Sequence, residues 1–247
     1  MKVSIVIPVY NEAKTVAVLL EQVWEQPISF EREIIIVESN SNDGSRALVK
    51  KFAEEKNKLV PDAVKVILQE HPRGKGFAMR EGFKHASGDI ILIQDADLEY
   101  DVKDYPAVLA PIAEGKTALV LGSRHLSANG WKIRKFENAP VKSQFLNLGG
   151  RLFHFFFNTM FGTQLTDPTT MFKVFRRDCL EHFTLSANRF DFDWELLGKM
   201  ILAGFIPLEV PISYQSRGFA EGKKVRIISD PFLWIRIILK TRFSPLK

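Results

Sequence analysis

Five short runs of β-branched and aliphatic residues, each leading into a polar segment, dominate the first 124 positions of this chain. They are VSIVIP (3–8), EIIIVE (33–38), VKVILQ (64–69), DIILIQ (89–94) and ALVLGS (118–123). Near-continuous apolar character over so few residues is what a strand buried on both faces requires. The stretches between them have helical period and predict helices over about 15–24, 43–56, 75–86 and 103–114. Asp43 stands as the N-cap of the second and Gly74-Lys75-Gly76 opens the third. This β-α alternation with right-handed crossovers predicts an α/β fold, a mainly parallel sheet flanked by helices.

In such a sheet ligands bind beyond the carboxyl ends of the strands, so the residues there are the first functional candidates. Pro8-Val9-Tyr10-Asn11-Glu12 follow the first run, Glu38-Ser39-Asn40 end the second, and Asp95-Ala96-Asp97 follow the fourth, with Glu99 two residues on. Two carboxylates one residue apart at a strand end suit a hard divalent cation, Mg²⁺ or Mn²⁺, that shares its ligation with substrate phosphates. A turn in which an aspartate caps the next helix is the plainer alternative. No glycine fingerprint follows the first strand, and no phosphate loop ending in Gly-Lys-Ser/Thr occurs. Dinucleotide and P-loop chemistry are therefore set aside. A nucleotidyltransferase would carry a glycine-rich basic loop after its first strand.

After Arg124 the rhythm stops. A basic polar loop is expected over 124–142, an aromatic-rich helix over 143–161, a strand at TMFKVF (170–175), a helix over 193–204 stopped by Gly204, a strand at PLEVPISY (207–214) and a closing helix over 230–243. Charge is uneven. Residues 122–151 carry six Lys/Arg against one acid and 214–247 carry eight against two, within a chain of net charge +5. Basic excess confined to two segments suggests an anionic partner, or else a solvated surface. In the closing helix Arg236 and Lys240 make a narrow stripe on an otherwise apolar element, which suits a membrane interface or docking on the sheet. The aromatic helix is assigned to the core. No run approaches the ~20 apolar residues of a membrane span, and the opening run is too short for a signal peptide. The single cysteine, Cys179, suits a reducing compartment. The five histidines show no metal-ligand spacing.

VSIVIPVYNE, IIIVESNSNDGS, RGKGFAMREGFKHASGDIILIQDADLEYD and LVLGSR, in this order and spacing, resemble inverting family 2 glycosyltransferases of the GT-A fold, whose sheet is Rossmann-like. LTDPTTMFKVFRR, FDFDWELLGKMILAG and EVPISYQSRGFAEGKK look like the subgroup that glycosylates polyprenyl phosphates, the dolichyl-phosphate mannosyl- and glucosyltransferases. The resemblance implies a nucleotide-sugar donor, UDP- or GDP-linked, a divalent cation (Mg²⁺ or Mn²⁺), a polyprenyl phosphate acceptor and no nucleic acid. It implies nucleotide contacts from Pro8, Tyr10, Glu12, Glu38, Asp95 and Ala96, metal and diphosphate ligation by Asp95 and Asp97, and a phosphate role for Arg124 and Arg217. Where the family has Asp-Asp-Gly-Ser, this chain has Glu38-Ser39-Asn40-Ser41, which leaves the nucleobase open.

From the residues themselves, Lys75 is a candidate for a phosphate or a surface turn. Glu99 is a candidate third metal ligand, and Arg134 and Arg151 are candidate acceptor-phosphate residues. Asp167 and Asp193 are candidate sugar contacts or bases, alongside helix capping or pairing with a neighbouring arginine. Residues 1–124 are expected to hold nucleotide sugar and metal. Residues 125–247 are expected to hold the acceptor within one continuous catalytic domain, peripheral to the cytoplasmic face of a membrane. A transferase acting on a glycan hydroxyl and a catalytically silent membrane-surface module are the rivals.

Overall fold

The computed structural model describes residues 1–126, 140–216 and 229–247, without the side chains of 140–143, 145, 146 and 229. Every expected strand and helix is found, with ends moved by a few residues. The order is β1 (Lys2–Val9), α1 (Val16–Glu25), β2 (Glu31–Glu38), α2 (Ser45–Leu59), β3 (Val64–Leu68), α3 (Lys75–His85), β4 (Ile90–Ile93), α4 (Tyr105–Ala113), β5 (Leu119–Ser123), α5 (Pro140–Phe161), β6 (Lys173–Arg176), α6 (Phe192–Leu202), β7 (Leu208–Pro211) and α7 (Ser229–Phe243). Short 3-10 turns at Val102–Asp104 and Arg177–His182 were not foreseen.

The seven strands form one sheet in the order β3-β2-β1-β4-β6-β5-β7. β1 runs parallel to β2 and β4, with Val9 opposite Glu38 and Val6 opposite Ile93. Val3, Ile5, Ile7 on one face of β1 and Val6 on the other are fully buried, as are Ile90–Ile93 of β4. Burial of both faces explains why these runs lack the alternation of a one-sided strand. α3 lies against β1 and β2, and Gly82 is what lets it approach. A Cβ there would stand 2.4 Å from a methyl of Val6. α6 ends at Ala203, and Gly204 takes φ +92, the left-handed turn that stops a helix.

β6 departs from the parallel rhythm. It is antiparallel to both β4 and β5 and separates them. Its amino end therefore lies at the edge where the parallel strands have their carboxyl ends. The segment leading into it, Asp167 to Lys173, is delivered to the edge that already holds Asp95 and Arg124. Phe172, Val174 and Phe175 on this strand are fully buried, which anchors the insertion.

The aromatic helix α5 is only partly core. Phe157 is fully buried and stacks with Phe161 and Trp194, while Phe153 meets Trp194 and Trp234. Leu148, Leu152 and Phe155 are exposed, Phe155 to 71%. Their spacing puts them on the face opposite Phe157. α7 divides in the same way. Ile237, Ile238 and Thr241 are buried; Phe232, Ile235, Leu239 and Phe243 are exposed beside Arg236, Lys240 and Arg242. Among the described residues no helix is long and apolar enough to cross a membrane.

Candidate active site

The carboxyl edge of the sheet opens into one cavity of about 620 Å³. Its walls hold Pro8, Tyr10, Glu12, Lys75, Asp95, Ala96, Asp97, Glu99, Arg124 and Asp193. Ten residues singled out in the sequence thus meet in one place.

The loop after β1 is held by the loop after β2. Asn11 N–H donates to Ser41 Oγ (2.9 Å), Asn42 N–H to Asn11 Oδ1 (3.0 Å), Ala13 N–H to Asp43 Oδ2 (2.9 Å) and Glu12 N–H to Ser45 Oγ (2.8 Å). Asp43 also accepts from Ser45 N–H (3.0 Å). The N-cap of α2 is Gly44, so Asp43 sits one residue earlier than expected and ties two loops together. Glu38 does not line the cavity. It is fully buried, ion-paired with Arg46, and accepts from Ser41 N–H (2.7 Å). Its neighbour Ser39 reaches the wall instead and donates to Gln69 Oε1 (2.8 Å).

The turn after β4 is pinned from three sides. Tyr105 OH donates to Gln94 Oε1 (3.0 Å), Thr15 Oγ1 donates to Ala96 O (3.0 Å), and Glu99 N–H donates to Asp97 Oδ1 (3.0 Å). The last bond is an aspartate turn, but Asp97 caps no helix; the next helical turn, Val102–Asp104, is capped by Asp101. The turn leaves Asp95 and Asp97 at the cavity wall. Lys75, the first residue of α3, is ion-paired with Asp95. Burial pulls its pKa down, but Asp95, Asp193 and Asp97 together outweigh that and hold it above the usual lysine value. Glu99 accepts from Tyr214 OH (2.9 Å).

Arg124 and Asp167 form a buried pair. Asp167 is fully buried and accepts from Arg124 N–H (3.0 Å), Nε (2.6 Å) and Nη2 (2.7 Å). Burial pushes the Asp167 carboxyl up, and the Arg124 charge and hydrogen bonds overcome it, leaving the pKa far below the usual carboxylate range. Glu209 of β7 fixes the turn carrying Asp167, accepting from Asp167 N–H (2.8 Å) and Thr166 N–H (2.8 Å). The guanidinium lies 5.1 Å from the Tyr214 ring and 5.9 Å from that of Tyr100. Asp167 is thereby committed to orienting a cation.

Asp193, in the first turn of α6, stands at the cavity wall. Its Oδ1 has no hydrogen-bond partner and lies 3.6 Å from Lys173 Nζ. Lys173 is fully buried, and burial lowers its pKa despite Asp193 and Asp167. Sequence reading missed Lys173. The signal was present: a lysine between Phe172 and Val174 in an apolar run must find a carboxylate or lose its charge. Also missed were Arg73, Arg189, Phe153, Trp194 and Trp234, all on the cavity wall.

Arg151 lies elsewhere, on a second cavity of about 380 Å³ that shares Arg124, Gly150 and Thr169 with the first. His125, His154 and Asp167 meet there, with possible ligand atoms within 4.8 Å of one another. Their positions in the chain gave no hint of this, because β5, α5 and the turn before β6 are brought together only by the fold. Asp167 already serves Arg124 in that cluster. Arg134 and Arg217 lie outside the described residues.

Residues 4–184 match the family described as Glycosyl transferase family 2. The chain belongs to glycosyl transferase family 2. It is 29% identical over 230 residues to the dolichol-phosphate mannosyltransferase of Pyrococcus furiosus, covering 90% of this chain and 59% of that protein. It is 25% identical over 234 residues to the glycosyltransferase AglD of Haloferax volcanii, covering 92% of this chain and 35% of the other. The chain thus spans 59% or less of these relatives' lengths. Among solved structures, mannosyl-3-phosphoglycerate synthase from Rubrobacter xylanophilus aligns with a TM-score of 0.66 at 17% identity, over 98% of this chain and 72% of that one. Glucosyl-3-phosphoglycerate synthase from Mycobacterium tuberculosis, in complex with Mn²⁺, UDP and glucosyl-3-phosphoglycerate, aligns with a TM-score of 0.62 at 16% identity, over 100% of this chain and 81% of that one. These likenesses establish the GT-A fold.

Proposed function

We propose that this chain transfers a hexose from a nucleotide sugar to a polyprenyl phosphate, with inversion at the anomeric carbon. The observation that carries the reading is the make-up of the cavity of about 620 Å³. Its wall brings together the paired carboxylates Asp95 and Asp97, Lys75, the buried cation Arg124 and the aromatic group Phe153, Trp194 and Trp234. The nucleotide occupies the strand-end loops at Pro8, Tyr10, Glu12 and Ser39. The relative named for dolichol-phosphate chemistry supports the acceptor class. The neighbour that holds Mn²⁺ with UDP supports a nucleotide and a divalent cation here.

The residues fit such a cation in one particular way. Asp95 and Asp97 offer carboxylate oxygens at the wall, while Glu99 is turned to Tyr214. That is not a full protein cage. It matches the habit of Mg²⁺ and Mn²⁺ of taking one or two carboxylates and completing their shell with phosphate and water. When bound, the cation offsets negative charge building on the departing diphosphate. Lys75 and Arg124 act on the same charge from the protein side.

The attacking oxygen of a phosphate monoester is already anionic, with a second pKa near ~6, so it forms its bond to the anomeric carbon without a base. The bond from that carbon to the diphosphate oxygen breaks as the new one forms on the opposite face. What the acceptor needs is a fixed cation, and Arg124, locked by Asp167, supplies one. A second reading has a specific support. Asp193 lies on the cavity wall and would serve as base for a sugar hydroxyl. Supplying radiolabelled nucleotide sugar with either polyprenyl phosphate or free oligosaccharide separates the two. Label is expected in the lipid, with Asp193→Asn retaining a measurable rate. Label entering only the oligosaccharide refutes the lipid-phosphate acceptor.

On this reading residues 1–124 bind donor and metal and 125–247 the acceptor, and the exposed apolar faces of α5 and α7, fringed by Arg236, Lys240 and Arg242, rest on the cytoplasmic surface of an anionic membrane.

A further inference from the structure

The position of Lys75 carries an inference about how the site fills. Gly74, just before it, has φ +97, and a Cβ there would stand 2.3 Å from the carbonyl oxygen of Asn188. The start of α3 is therefore fixed against the loop that leads into α6. From that fixed point the lysine side chain reaches Asp95 Oδ1, and its ammonium also lies 3.1 Å from Met171 Sδ. A thioether is a weak acceptor, so the charge is answered by carboxylates. Asp95 is in contact, with Asp193 and Asp97 acting at longer range. The Lys75 and Asp95 side chains are only 12% and 18% exposed, so water screens this pair poorly.

Asp95 is also one of the two carboxylates that the proposed function gives to a divalent cation. An ammonium and a dication cannot share one oxygen at contact distance without strong repulsion, and in a poorly screened site the cost is large. A dication on either Asp95 oxygen stands close to the ammonium on Oδ1, so its approach drives Lys75 off Asp95, and an ammonium this buried leaves only for another anion. The diphosphate of the donor is an anion of the right chemistry in the same cavity.

We propose that Lys75 is the resident counter-ion of Asp95 and moves to a diphosphate oxygen when the donor arrives, so that the site takes up cation and nucleotide together and resists the cation alone. The inference rests on the reading of Asp95 and Asp97 as the cation site. It assigns Lys75 two partners in succession, and removing its charge must have opposite effects on the two ligands.

Lys75→Met and Lys75→Gln are compared with the wild type in two titrations, with melting temperatures confirming that each protein is folded. Mn²⁺ binding without nucleotide is read by electron paramagnetic resonance. Binding of UDP, and in parallel GDP, is read by calorimetry in chelator. Loss of the lysine charge is expected to tighten Mn²⁺ binding about tenfold and weaken binding of the preferred diphosphate about tenfold, each change equivalent to about one ion-pair coupling. A lysine that merely supported the fold would weaken both. Unchanged or weaker Mn²⁺ binding in both variants, with Asp97→Asn abolishing it, overturns the counter-ion role and leaves the cation site standing. Mn²⁺ binding to none of the proteins, with or without UDP or GDP, overturns the cation site itself.

Discussion

Glu33 at one edge of the sheet and the cavity-wall carboxylates at the other are partnered in opposite ways. At the amino ends of the strands, Glu33 is 1% exposed and its valence is filled. It accepts from Ser4 Oγ (2.6 Å), Ser87 N–H (2.6 Å), Ser87 Oγ (2.9 Å) and Lys65 Nζ (2.9 Å), and Lys2 Nζ stands 3.4 Å away. At the carboxyl ends Glu38 and Asp167 are filled by Arg46 and Arg124, but on the cavity wall Asp95 leans on a single lysine, and Asp193 Oδ1 has no hydrogen bond and only Lys173 at 3.6 Å. A filled network ties β1, β2 and the turn before β4 into one rigid edge. An unfilled one is costly in the isolated chain and becomes favourable when a ligand completes it. The contrast separates a carboxylate that holds the fold from carboxylates that await a partner, and it makes predictions of different kinds at the two edges.

The largest effect is expected at Asp97. Asp97→Ala should lower turnover by about a thousandfold or more, the several kcal/mol that a diphosphate-neutralising cation contributes to a transition state. Chelator should do the same to the wild type, and the melting temperature of the variant should stay close to that of the parent. Full activity in chelator removes the metal from the account.

Next comes the buried pair. Asp167→Asn leaves Arg124 charged, buried and poorly matched, which should cost about 3–5 kcal/mol of stability. Arg124→Met with Asp167→Leu should recover much of that loss and none of the activity. Denaturant titration and transfer assays separate the two. A double variant with wild-type turnover shows that Arg124 serves only the fold.

At the opposite edge the effect should fall on stability alone. The Glu33 carboxyl is lowered to about 2, burial opposing and the bonds from Ser4, Lys65 and Ser87 prevailing. Against an ordinary value of 4.5 this corresponds to about 3 kcal/mol. Because the folded-state value is the depressed one, the contribution is complete above pH ~4.5 and is lost as pH falls through about 2. Glu33→Gln should lose most of it at pH 7 and only a small part at pH 2, with turnover per folded molecule unchanged. Loss of activity without loss of stability contradicts the division of the two edges.

The smallest effect lies outside both edges. Arg236→Glu with Lys240→Glu on α7 should weaken binding to anionic vesicles, each lost cation removing ~1 kcal/mol. Unchanged sedimentation with such vesicles assigns the exposed face of α7 to something other than a membrane.

Most of this architecture is legible in the sequence, for one physical reason. A strand buried on both faces needs a continuous apolar run, and five of them separated by helices admit few arrangements. The residues at their ends then fall on one edge, which marks Tyr10, Asp95 and Asp97; Arg124 is marked by the resemblance of LVLGSR to the family. Strand direction is another matter. TMFKVF reads as a strand whichever way it runs, and nothing in its composition says that β6 is antiparallel. Asp167, Lys173 and Met171 reach the site only through that reversal. Glu38 could have been read better. An arginine two residues into α2, Arg46, is within reach of the end of β2, and a buried glutamate needs such a partner. The phenylalanines of α5 are dense enough to hide its period, so the exposed face at Leu148, Leu152 and Phe155 reads as core in the sequence.

The central claim is that the carboxyl edge binds a nucleotide sugar through Asp95 and Asp97. It is tested most directly by following thermal unfolding of the wild type and of Asp97→Ala with UDP-glucose and GDP-mannose, with and without Mn²⁺. Binding to the native state at a hundred times Kd stabilises it by about 2.7 kcal/mol. The expected result is a rise in melting temperature for one of the two nucleotide sugars, dependent on Mn²⁺ and missing in the variant. An equal rise in wild type and Asp97→Ala, or a rise indifferent to Mn²⁺, contradicts it.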